Sequence, residues 1–160
     1  MNSYAVEVRV EKPFNTEACA EPKAIRQAAE RTLRLQGVAE PCELVVLVTD
    51  DETVRKLNQR HRHVDAPTDV LAFPDVAGGP FVDAPGLPRY LGDVIVSFPR
   101  ARAQATESAG DVCGELQLLV VHGVLHLLGY DHQTEAGRAS MWRAQQMVLD
   151  DLGVEVRVPD

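Results

Sequence analysis

Apolar and polar residues alternate over 4–10 (YAVEVRV), the period of a half-buried strand. Over 21–36 (EPKAIRQAAERTLRLQ) the period lengthens to that of an amphipathic helix, and Gly37 is the expected stop. Residues 43–49 (ELVVLVT) are nearly all apolar and rich in β-branched side chains, which suits a buried strand. Asp50 or Asp51 is placed to cap a helix over 52–61, and Thr68 and Asp69 lead into a short strand, 70–73 (VLAF). Proline and glycine crowd residues 74–89, which read as a loop between two strands. The second of these is 90–98 (YLGDVIVSF), and Pro99 then opens a helix over 100–107 that Gly110 breaks. Residues 111–128 (DVCGELQLLVVHGVLHLL) are apolar nearly all round, so this helix belongs at the centre of the fold, with Gly129 as its end. A last amphipathic helix covers 134–151, and the tail VEVRV is a short strand or a frayed end. Strands and helices are mixed rather than strictly alternating. The pattern predicts an α+β fold, one domain over 1–160, with a mixed, mostly parallel sheet packed against helices around the apolar one.

Composition narrows the classes. The chain has 160 residues, 45% hydrophobic and 25% charged, which excludes disorder for most of its length. No apolar run approaches the roughly 18 residues of a membrane span, and MNSYAVEVRV lacks the apolar block of a signal peptide. Cys19, Cys42 and Cys113 are odd in number and scattered, which argues against a disulfide framework and makes the cytoplasm the default location. The net charge of −8 argues against a protein that coats nucleic acid, though it leaves room for a local basic groove.

The chemistry concentrates in HGVLHLLGYDH, residues 122–132. His122 and His126 are four apart on a helix, so their rings share one face. Gly129 permits a left-handed turn that can bring His132 back towards them. Three converging imidazoles make a zinc site with an open fourth position. Buried satisfied histidines are the bland alternative, but two polar rings on an apolar helix are costly unless something engages them. The spacing is also that of metzincin proteases, which carry glutamate directly after the first histidine. Here that position is Gly123, so the group that activates water for peptide cleavage is missing. Glu115 lies two turns before His122 on the same face and Asp131 adjoins His132. Either can orient a ligand ring from behind, and Asp131 is the nearest candidate base by sequence. Glu115 reads equally well as helix-start electrostatics.

Between Thr53 and Val64 there is no acid, but there are Arg55, Lys56, Arg60, Arg62, His61 and His63. A solvated helix face accounts for Arg55 and Lys56. Arg62 stands where the chain turns into a strand, and its guanidinium can clamp a phosphate. Arg60, Arg89, Arg100 and Arg102 are candidates to extend a track for an RNA backbone, or serve solubility alone. Thr68 and Asp69 form a turn or cap without chemistry, or flank the site. Asp93 and Ser97 interrupt an apolar strand and are read as internally paired or supporting the site. Cys113 and Trp142 read as core residues.

HGVLHLLGYDH at 122–132, LNQRHRHVDAPTDVLAFP at 57–74 and LGDVIVS at 91–97, in this order and spacing, closely resemble the YbeY family of bacterial rRNA maturation factors. That family is described as metal-dependent, single-strand-specific endoribonucleases, and the resemblance covers about residues 43–150. It implies a zinc-binding α+β fold related to metalloprotease-like domains, with one zinc per chain on His122, His126 and His132 and the family's arginine at Arg62. It further implies a cytoplasmic role in small-subunit rRNA 3′-end processing and ribosome quality control, with the small subunit and assembly factors as partners. His61 stands where the family commonly has tyrosine, and Ala72 where it has serine. Two other classes fit the residues: a metal hydrolase acting on peptide or a small molecule, and a ribosome-assembly protein whose zinc is structural.

Overall fold

Tyr4–Val10 forms strand β1, and its alternation appears as burial, with Tyr4 and Val6 inside and Ala5 and Glu7 outside. The computed structural model describes residues 4–75, 89–108 and 110–155. Two short 3-10 turns, Phe14–Thr16 and Ala18–Ala20, lead into α1 (Pro22–Leu35). Strand β2 (Cys42–Thr49) pairs parallel to β1, so α1 is the crossover connecting them. Asp50 caps α2 (Asp51–Arg62) by accepting from the Thr53 amide at 2.8 Å. Strand β3 (Val70–Pro74) is antiparallel to β4 (Arg89–Ser97), which lies parallel to β2. The sheet order is β1-β2-β4-β3, mixed and mostly parallel, as the sequence pattern predicts. Then follow α3 (Phe98–Glu107), α4 (Val112–Leu127) and α5 (Glu135–Leu152).

The helices divide unequally between the sheet faces. Alternate β2 residues Cys42, Leu44, Val46 and Val48 point into the main core with Ile25 and Leu33 of α1 and Leu116, Val120 and Val124 of α4. Eleven of the sixteen α4 residues are buried, as its continuous apolar pattern requires. On the opposite face α2 covers one corner, where Val54 packs with Leu71 and Ile95. Asn58, buried on α2, donates from Nδ2 to the Ala66 carbonyl at 2.9 Å and so holds the segment between α2 and β3 in place. His63 ends α2 in the left-handed region at φ 60°. No helix among the described residues is long and apolar enough to cross a membrane.

Several expectations change. Phe98 begins α3 rather than ending β4, because the Ser97 side chain caps the helix by accepting from the Arg100 amide. The expected loop shrinks at both ends: Pro74 and Arg89 belong to strands, and 76–88 lie outside the described residues. The tail beyond residue 155 lies outside them too. Cys19 and Cys113, expected to be unpaired, form a disulfide. They are 94 residues apart in sequence but lie where the second 3-10 turn meets the start of α4, which spacing alone does not reveal. Cys42 remains a free buried thiol, pushed up by burial to about 11. Trp142, read as core, is 47% exposed, because Met141, Ala144 and Gln145 take the inward face of α5.

Candidate metal centre

His122 and His126 project from the last two turns of α4, and the chain beyond them folds back by hydrogen bonding. The amide of Gly129 donates to the His126 carbonyl and that of Tyr130 to the Leu125 carbonyl, the paired bonds of a Schellman turn. Gly129 has φ 102°, which glycine alone adopts cheaply. The Tyr130 hydroxyl donates to Gln36 Oε1 at 2.7 Å, tying this turn to the end of α1. Asp131 Oδ1 accepts from the Gln133 amide at 2.8 Å, closing the tighter turn that carries His132. The three rings converge: the His132 centroid is 5.1 Å from that of His126 and 5.8 Å from that of His122.

Two acceptors set the histidine tautomers. Gln145 Oε1 lies 2.9 Å from His122 Nδ1, and the Tyr130 carbonyl lies 2.9 Å from His126 Nδ1. Each Nδ1 therefore carries a proton and donates it, leaving both Nε2 lone pairs inward. Those Nε2 atoms are 3.1 Å apart. Burial lowers the pKa of both rings, and for His126 the two neighbouring histidines and the Arg62 charge lower it further. Two neutral rings with facing lone pairs repel unless a cation lies between them. Zinc–nitrogen bonds of about 2.0–2.1 Å at a tetrahedral angle put two ligand nitrogens about 3.3 Å apart, close to the spacing here. One ligand nitrogen from each of His122, His126 and His132 lies within 4.8 Å of the others, so the group can hold a metal ion.

The centre lies in a cleft of about 580 Å³ whose walls include Arg62, Thr68, Asp69, Phe73, Asp131 and the three histidines. Arg62 is exposed and has no ion pair among the described residues. Asp69 faces the cleft with both oxygens engaged, Oδ1 by the Val70 amide and Oδ2 by Gln104 Nε2 at 3.1 Å. Glu115 is 4% exposed, and its pKa is raised by burial and then by the Asp69 charge. Glu115 bonds to neither ring, because Gln145 and Tyr130 already occupy both Nδ1 atoms. Asp93 accepts from the Tyr90 hydroxyl, and Ser97 donates to Asp51 at 2.6 Å, so both are paired within the fold.

The remaining arginines are not gathered with Arg62 around the cleft. Arg100 faces Asp51 at 3.3 Å, and Arg102 bonds Glu17 at 3.0 Å while lying over the Phe98 ring. Arg89 begins β4 beside Pro41, and exposed Arg60 does not line the cleft. Gln145, the partner of His122, is the residue of the candidate centre that sequence reasoning missed. Its signal was a polar side chain on the inward face of α5, between Met141 and Val148.

Gly123 has a packing reason. A Cβ there would stand 2.5 Å from Val94 Cγ1 and 3.2 Å from Val70 Cγ2, so α4 sits directly on β4 and β3. The position that carries the glutamate of a metzincin is here filled by the sheet.

The chain matches the family model described as Endoribonuclease YbeY over residues 8–153. A Roseiflexus castenholzii protein named Endoribonuclease YbeY is 46% identical over 138 residues, 86% of this chain and 87% of the relative. A Moorella thermoacetica protein of the same name is 41% identical over 145 residues, 89% and 91% of the two chains. The solution structure of a Thermotoga maritima protein superposes with a TM-score of 0.56 at 22% identity, covering 92% of this chain and 91% of that one, and shows the same fold.

Proposed function

The chain belongs to the endoribonuclease YbeY family, and from that premise we propose that it is a zinc-dependent endoribonuclease that cuts single-stranded RNA in the three-histidine cleft. Its substrate is rRNA, in the 3′-end processing of the small subunit and in ribosome quality control, and its place of work is the cytoplasm. The small subunit and its assembly factors are its partners. The observation that carries the reading is the facing Nε2 pair beside an unpaired arginine in one cleft.

His122, His126 and His132 would hold the ion, which when bound supplies a Lewis acid and an activated water. The chain's own groups do the rest. Gln145 and the Tyr130 carbonyl keep both inward nitrogens deprotonated, so ligation needs no proton loss from the rings. Arg62 binds the scissile phosphate and offsets the negative charge that grows on its oxygens during cleavage. It shares the cleft with His126, so its charge acts on the same space as the centre. Asp131 is assigned to building the turn under His132, since its Oδ1 is committed to Gln133. Asp69, fixed at two points on the cleft wall, orders the β3 side of the site.

Reversing the charge tests the phosphate role. Arg62→Glu is expected to lower single-stranded RNA cleavage about 100-fold or more, the scale of losing one transition-state donor. Zinc content, read by atomic absorption, should stay normal, and loss of metal would make Arg62 a structural residue instead. Gln145→Leu removes the His122 acceptor while keeping similar bulk. It is expected to weaken zinc binding about 10- to 100-fold in competition with a chelating dye. Unchanged affinity would mean that the His122 tautomer is set elsewhere.

A further inference from the structure

Phe73, on the cleft wall, pairs with His61, which stands outside that wall on the turn of α2 before Arg62, and the proposed chemistry leaves the pair without a role. The rings lie 5.0 Å apart at an angle of 53°. His61 sits in the last turn of α2, is exposed, and directly precedes Arg62. Phe73 lies on β3, at the edge of the sheet, and lines the cleft together with Arg62. Its inner side packs on the cluster of Leu71, Ile95 and Val54, so the ring is held from behind while it borders the opening. An aromatic surface packed from behind, on the wall of a cleft that also carries an unpaired arginine, suits a ligand that joins a flat ring to a phosphate.

We propose that the His61–Phe73 pair is a stacking subsite for one nucleobase of a single-stranded RNA whose phosphate Arg62 engages; this rests on the endoribonuclease reading above. Successive helix residues point about 100° apart. The His61 ring and the Arg62 guanidinium therefore leave α2 in different directions, as base and phosphate diverge from one sugar. Stacking tolerates any base, because every base offers a π face. The subsite thus requires that a base be present but does not select which one, and it favours an unpaired strand because a base held in a duplex is not free to stack.

The test walks a single abasic position along a short labelled RNA and measures kcat/KM for zinc-loaded protein at each position. In the wild type, one abasic position at a fixed offset from the cut is expected to lower kcat/KM about 5- to 150-fold, the measured range for base–aromatic stacking. His61→Ala should cut intact RNA more slowly and lose that offset-specific penalty, and His61→Tyr should restore it. Phe73→Leu should lose the penalty too, and if it unfolds, the exposed His61 pair of variants decides alone. A pair that merely packs would leave the penalty unchanged in His61→Ala. Cleavage that is equally fast at every abasic position, or a penalty that survives His61→Ala, overturns the subsite and leaves the endoribonuclease reading standing. Intact RNA left uncut by zinc-loaded wild type overturns that reading and the subsite with it.

Discussion

His126→Ala is expected to leave the purified chain without bound zinc after dialysis and to abolish single-stranded RNA cleavage to below about 1% of wild type. Removing an outer partner of a metal ligand already costs about 10- to 100-fold in affinity, so removing a ligand costs more. His126 occupies the middle of the arrangement. Its Nε2 is 3.1 Å from that of His122, and its ring is 5.1 Å from that of His132. Without it, His122 and exposed His132 remain with ring centroids 5.8 Å apart, too few ligands for a zinc site. The fold should survive, because the His126 ring lies at the cleft wall rather than in the core, and Tyr130, whose carbonyl loses its partner, lines the same cleft. Far-UV circular dichroism, metal analysis and cleavage of a labelled RNA on one preparation check the three parts. A variant that keeps stoichiometric zinc and full cleavage overturns the assignment of the centre.

Gly123→Glu, which writes the protease sequence into this chain, is expected to produce a protein that folds poorly and cleaves no peptide. Two effects add. The new Cβ would meet Val94 Cγ1 at 2.5 Å, and overpacking of this kind costs about 1–3 kcal/mol. A carboxylate left unpaired where α4 meets the sheet would add several kcal/mol more. The sum approaches the ~5–15 kcal/mol that holds a whole domain together. Gly123→Ala carries the first cost alone and recovers up to ~1 kcal/mol of helix propensity, so it should stay folded with a modestly lower melting temperature. Thermal unfolding of the three proteins checks this ordering. A glutamate variant as stable as the wild type would mean that α4 lifts from the sheet at little cost. The absence of a protease base is therefore a packing consequence as well as a functional one.

The elements were legible where one physical signal dominated. Alternation marked β1, continuous apolarity marked α4, and Gly37, Gly129 and Asp50, one of two candidate caps, stand at element boundaries where they were expected. Each reflects a local rule of the backbone that operates within a few residues. The convergence of the three histidines was legible for the same reason, since one helical turn and one glycine turn determine it.

Long-range contacts were not legible. Gln145 is 23 residues from His122, Cys113 is 94 from Cys19, and Phe73 meets His61 across a strand and a helix. Arg100 and Arg102 belong to the same class. Their positive charge was visible, but Asp51 and Glu17, which engage it, lie 49 and 85 residues away. Trp142 shows the limit from the other side, because hydrophobicity argued for the core while the register of α5 turned the residue outward.

The sequence by itself determined the strands and helices, the ring of histidines and the lack of a glutamate beside the first of them. Those follow from backbone geometry and spacing within one short segment. Only the tertiary structure decided which nitrogen of His122 and of His126 faces inward, why a side chain at position 123 meets the sheet, and which arginine remains free at the cleft. Those depend on atoms brought together from distant parts of the chain, where the partner of a polar group is chosen by packing and not by neighbourhood in sequence.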